Sequence, residues 1–157
     1  AIIFIDDKST LKLKGNSEAV ITGQRTAASI SKKINMDSGT VRATVKKQNT
    51  DFVIQTPTSV ASVKGTDFWL LTDPVTGDQI ICVEGTVGLV NAETGEDVDV
   101  TEGMSCISIP DGTLELSETD PSSIPDDPSD EQDGPSQIRI YLEGPNGEQK
   151  VMVIEYQ

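Results

Sequence analysis

The sequence predicts an all-β fold, and three observations carry that expectation. Apolar runs rich in Val, Ile, Thr and aromatics recur about every 8 to 12 residues, each too short for a helix. Glycine or proline turn signals separate them. No run of about ten residues or more holds the helical period that crossovers between parallel strands require. Such spacing fits a sandwich, a barrel or a short solenoid.

In chain order, Ile2–Ile5 is the first strand. Leu-Lys-Leu-Lys at 11–14 alternates, which turns Leu11 and Leu13 inward and the lysines outward. Gly15-Asn16 turns the chain into a strand at 19–22. Residues 26–35 carry Ala27, Ala28, Ile30, Ser31 and Ile34, which suit one helical face as well as a strand; strand is preferred because everything around it is β. Asp37-Ser38-Gly39 reads as a turn. Val41 to Val45 alternates again, with Lys46 and Lys47 marking its end. Strands at Phe52–Gln55 and 60–63 flank Pro57, which suits an edge or a corner.

Residues 60–90, VASVKGTDFWLLTDPVTGDQIICVEGTVGLV, are the organising stretch. They read as four strands, at 60–63, 67–71, 79–83 and 86–90, joined by glycine corners. Gly65 and Gly85 sit where two strands meet, as expected if the backbone there needs positive φ or a close approach. Val98 and Val100 then face inward, Gly103 makes another corner, and 104–109 is the last expected strand of the domain.

Several motifs in this order resemble the FecR domain. VKGTDFWLL is similar to the family's strand that starts with Gly-Thr and an aromatic, ICVEGTVGLV to the strand that follows, and VTEGMSCISI to the closing strand. Upstream, IFIDDKSTLKLKGNSEAVI resembles the family's opening and MDSGTVRATVKKQNTDFVIQTPTSVASV its middle. The resemblance spans about residues 2–112, with one departure: Asp6-Asp7-Lys8-Ser9 stands where the family has Asp-Gly-Ser. It implies a coiled, solenoid-like β-sandwich.

The composition changes beyond residue 112. ELSETDPSSIPDDPSDEQDGPS, at 115–136, is dense in acids and prolines, with Ile124 almost its only apolar residue. Such a segment buries too little surface to offset its ordering entropy. Three regions follow: a β domain at 1–112, an acidic Pro/Ser-rich linker at 113–136 and a C-terminal β-hairpin at 137–157. In the hairpin, Ile138, Ile140 and Leu142 alternate with Arg139 and Tyr141, Pro145-Asn146-Gly147 supplies turn chemistry, and Val151 and Val153 lie on the returning strand. An isolated two-stranded hairpin is marginal in water, so this one must pack on its own domain or on another molecule.

Charge and composition narrow the function. A net charge of −14, from 26 acidic and 12 basic residues, lacks the basic footprint of a nucleic-acid binder and would be repelled by an anionic membrane. Histidine is absent, which removes the commonest general base and metal ligand. No apolar run approaches the roughly 20 residues of a membrane helix. A chain that opens inside a strand-like run reads as a mature or trimmed product.

Candidate chemistry is sparse. The acids between Asp126 and Asp133 lack the EF-hand spacing and read as a solvated linker. Asp73, Asp78, Glu84 and Glu93 read as turn or surface acids. No G-x-S-x-G elbow is present, and Trp69 in the FWLL strand reads as core. Cys82 and Cys106 lie on strands that a coiled fold makes neighbours. They would form either a disulfide, stabilising by about 3 kcal/mol, or two buried free thiols.

These readings lead to a non-enzymatic, extracytoplasmic β module with no cofactor or metal. FecR domains belong to envelope signalling proteins that pass an outer-membrane receptor's state to an anti-sigma regulator, so the resemblance implies protein binding in the periplasm, at the cell surface or outside the cell. Binding would use sheet edges and the hairpin residues Ile138, Ile140, Tyr141, Leu142, Val151 and Val153. The competing expectation is a structural subunit of a secreted fibre or surface assembly, joined by strand addition.

Overall fold

A computed structural model describes residues 2–5, 9–15, 17–25, 30–47, 52–126, 136–143 and 149–156. The described part is almost entirely β, as the strand pattern predicts. Two sheets share one long strand, β4 (Ile30–Val45). The front sheet holds β1 (Ile2–Ile5), β2 (Ser9–Leu13), the second half of β4, β7 (Thr66–Asp73), β8 (Gly77–Glu84), β11 (Met104–Ser108) and β12 (Leu114–Glu118), in that spatial order. The back sheet holds β3 (Glu18–Arg25), the first half of β4, β5 (Phe52–Gln55), β6 (Ser59–Val63), β9 (Thr86–Asn91) and β10 (Asp97–Thr101). A separate hairpin pairs β13 (Ser136–Glu143) with β14 (Gln149–Tyr156).

From β5 onward the chain alternates between the sheets one hairpin at a time. β5–β6 lies in the back, β7–β8 in front, β9–β10 in the back and β11–β12 in front. This alternation is the coil that the resemblance implied. Each crossing between hairpins falls on a glycine: Gly65 between β6 and β7, Gly85 between β8 and β9, and Gly103 between β10 and β11. β5 runs parallel to the first half of β4 in the back sheet, while the second half of β4 pairs with β7 in front.

Binary patterning explains the burial. Leu11, Leu13, Val41, Ala43 and Val45 are buried on alternate positions, as are Phe52 with Ile54, Ala61 with Val63, and Val87 with Leu89. Together with Phe68, Leu70, Ile80, Val100 and Cys106 they form one core between the sheets.

Two expectations are corrected. Asp37-Ser38-Gly39 is not a turn, since β4 runs straight through it. The Ser17 hydroxyl accepts from the Thr40 N–H (3.0 Å) and donates to the Thr40 carbonyl (3.2 Å), standing in for a ladder partner. Gly39, at φ +117°, lets the strand pass from one sheet to the other. The front sheet also continues past residue 109 into β12, whose pairing with β11 was not legible in the acidic sequence ELSE. The turns at Asn16 and at 144–148, residues 26–29 and the acids at 127–133 lie outside the described residues.

Candidate interaction surfaces

The corner glycines differ in what surrounds them. A side chain at Gly65 would meet the Lys47 Cα at 2.8 Å, although φ there is not positive. Gly85 has φ +89°, and a Cβ there would sit 2.7 Å from the Gly65 carbonyl oxygen. Gly103 has φ +80° with nothing within 4 Å. The Gly-Thr pairs at 65–66 and 85–86 therefore meet in space, and the Thr66 hydroxyl donates to the Thr86 carbonyl at 2.8 Å. These positions build the corner that stacks the three middle segments; they carry no reactive group.

Cys82 and Cys106 are both buried free thiols, which corrects the disulfide alternative. The register supplies the reason. Cys106 stands opposite Ile80, so Cys82 is its diagonal neighbour one pair further along. Diagonal Cβ atoms lie about 7 Å apart, against about 3.8 Å in a disulfide. Burial pushes the Cys82 thiol up to about 11, helped by the carboxylates of Glu102 and Asp67, and burial also raises Cys106.

Asp78 corrects the surface-acid expectation, being 2% exposed. Its Oδ2 accepts from the Thr56 hydroxyl, which itself accepts from the N–H groups of Thr58 (3.1 Å) and Ser59 (2.9 Å). Beside it the Ser59 hydroxyl donates to Ser108 Oγ at 2.7 Å, and Asn91 Nδ2 donates to Ser108 Oγ and the Ile109 carbonyl, each at 3.0 Å. This polar layer ties the two sheets together at one end. Asp73 is an exposed turn acid; the backbone N–H groups of Thr76 and Val75 hold its carboxyl below the usual range.

Trp69 is buried, as its place in the FWLL strand predicts. It lies on the outer face of the front sheet, away from the core cluster. The Arg42 guanidinium lies 5.7 Å from its ring centroid and forms a two-point ion pair with Asp67 (Nε–Oδ1 3.1 Å, Nη2–Oδ2 2.8 Å).

The remaining candidate residues lie on the C-terminal hairpin. Its register sets Ile138 opposite Ile154, Ile140 opposite Met152, Tyr141 opposite Val151, Leu142 opposite Lys150 and Arg139 opposite Val153. Among the described residues β3 pairs only with β4, which leaves its other edge open within the sheet. β13 lies along β3, with Cα atoms within 8 Å, although the hairpin remains a sheet of its own. Face-to-face sheets stack about 10 Å apart, so this closeness fits a strand set beside an edge. Hairpin and open edge are thus brought together. Sequence reasoning named the hairpin but missed β3, because an edge is a property of the whole topology. Among the described residues no helix is long and apolar enough to cross a membrane.

Comparison with known proteins agrees with this architecture. A family model described as FecR protein matches residues 1–88. Two crystal structures of a proposed anti-sigma factor from Parabacteroides distasonis superpose with a TM-score of 0.63 at 13% identity, covering 76% of this chain. They share the fold; the chain spans 56% and 55% of the length of those two proteins. No curated protein matches the chain.

Proposed function

The chain belongs to the FecR family, and from that premise we propose that it is a non-enzymatic, extracytoplasmic protein-interaction module in envelope signalling. It works through its sheet edges and its C-terminal hairpin. One observation carries this reading: β13 lies beside the open edge of β3 without joining its ladder. Such an edge presents unpaired backbone N–H and C=O groups, the usual template for strand addition. A hairpin that covers the edge without pairing to it is an exchangeable cover. Its partner is a protein strand, and Ile138, Ile140, Tyr141, Leu142, Val151 and Val153 are the residues that contribute the contact.

A second reading rests on the same observation. If the hairpin leaves its own β3 and lies on that of a neighbouring copy, the contact is heterologous and builds rings or open filaments. Truncation after Gly134 separates the two. Docking within one chain predicts a truncated protein of unchanged oligomeric state but lower thermal stability. Docking between copies predicts a truncated protein that stays folded and becomes monomeric by light scattering. A full-length monomer that loses no stability on truncation would remove both readings.

A further inference from the structure

The outer face of the front sheet holds a burial that the core does not explain. Trp69 is 2% and Ile81 1% exposed, yet strand alternation turns both away from Phe68, Leu70 and Ile80. They stand opposite each other, and Ser105 stands opposite Ile81, so the three make one row across β7, β8 and β11. Arg42 lies over the Trp69 end. At the Ser105 end, the hydroxyls of Ser105 and Thr119 share a hydrogen bond at 2.7 Å. The Thr119 N–H also donates to the Gly103 carbonyl at 2.9 Å.

The chain therefore does not leave the sheet freely after β12. The Thr119 amide adds one rung to the β11–β12 ladder, and its hydroxyl lies on the outer face, diagonal to Ser105 and one step along from the Trp69–Ile81–Ser105 row. Asp120 then caps a short 3-10 turn, Pro121–Ser123, by accepting from the Ser122 N–H. Ser123 and Pro125 are half-buried, so the segment rests against something. Burial also fades on either side of the row. Ile107, in the adjacent row with Leu71 and Gln79, is 40% exposed beside an open depression of about 520 Å³, and Val83 is 37% exposed. Whatever covers Trp69 and Ile81 is therefore narrow.

We propose that residues 119–126 form a strap seated across Trp69 and Ile81, and that this row is a docking face for an extended, proline-containing chain. The reach is sufficient. Ser105 and Trp69 are two strand spacings apart, about 10 Å, and five extended residues with one 3-10 turn of three span up to about 22 Å. The start of the acidic segment is thus part of the folded unit. Any external strand that uses this face must displace the strap first.

Trp69 is the sole tryptophan, so its emission reports the strap directly. In the full chain, residues 119–126 are replaced by a Gly/Ser run of equal length, leaving β12 and the hairpin in place. The proposal expects a red-shifted Trp69 emission and a several-fold rise in acrylamide quenching, with unchanged far-ultraviolet circular dichroism. A synthetic peptide of residues 119–126, added in excess, should reverse both changes. If the replacement unfolds the protein, Thr119→Val in the full chain removes only the hydroxyl contact with Ser105 and should still raise quenching. Blue, protected emission in the folded replacement, or in Thr119→Val, would assign the cover to another part of the chain and overturn the proposal. So would exposure of Trp69 that the peptide leaves unchanged.

Discussion

Gly85 and Gly103 both hold positive φ, but only Gly85 is crowded, which separates two costs that are usually mixed. Gly103→Ala adds the left-handed strain alone, about 1 kcal/mol. Gly85→Ala adds the same strain and drives a Cβ toward the Gly65 carbonyl, for a loss of about 2–4 kcal/mol. Urea denaturation of the two variants should show Gly85→Ala clearly the worse; equal losses would mean the corner relaxes. Both positions were legible in the sequence, because a glycine between two apolar runs marks a corner whatever the fold. The crowding was not, since it comes from Gly65 and Thr66 packing across segments. The cysteines show the same limit. Neighbouring strands could be inferred, but the diagonal register of Cys82 and Cys106 could not. Full denaturation should therefore release two thiols that react with a labelling reagent. Burial pushes the folded Cys82 thiol up to about 11, so the unfolded chain releases its proton first. Stability should then fall as pH rises from about 9 toward 11, and Cys82→Ala should flatten that slope.

At the scale of elements, β4 decides the architecture. Its two halves belong to different sheets, and the passage between them rests on Gly39 and on Ser17 bridging to the Thr40 backbone. Ser17→Ala leaves the partly buried Thr40 amide without that acceptor, and should cost about 1–2 kcal/mol in an equilibrium unfolding experiment. A neutral result would mean that the strand bends without help from the hydroxyl. The sequence pointed to a turn here because Asp-Ser-Gly is strong local turn chemistry. Tertiary pairing on both sides converted it into a bend within a strand. Ile2–Ile5 and Phe52–Gln55 were read to the residue, since a short β-branched or aromatic run bounded by polar residues leaves little choice. β12 escaped notice because Glu115, Ser117 and Glu118 remain exposed on an edge strand that buries little.

The whole molecule is a coil of hairpins between two sheets, tied at one end by the layer around Asp78 and Asn91. The layer escaped sequence reading because Thr56, Ser59, Asn91 and Ser108 are ordinary turn residues until the coil stacks them. Among the strand edges the coil leaves open is that of β3, and the account turns on β13 being its cover. Amide hydrogen exchange at residues 18–25 tests this most directly. The outward-pointing amides of β3 should be protected in the full chain, exchange faster after truncation at Gly134, and slow again when a peptide of residues 136–157 is added. Identical exchange in all three samples would show that the hairpin does not cover this edge, and would contradict the account.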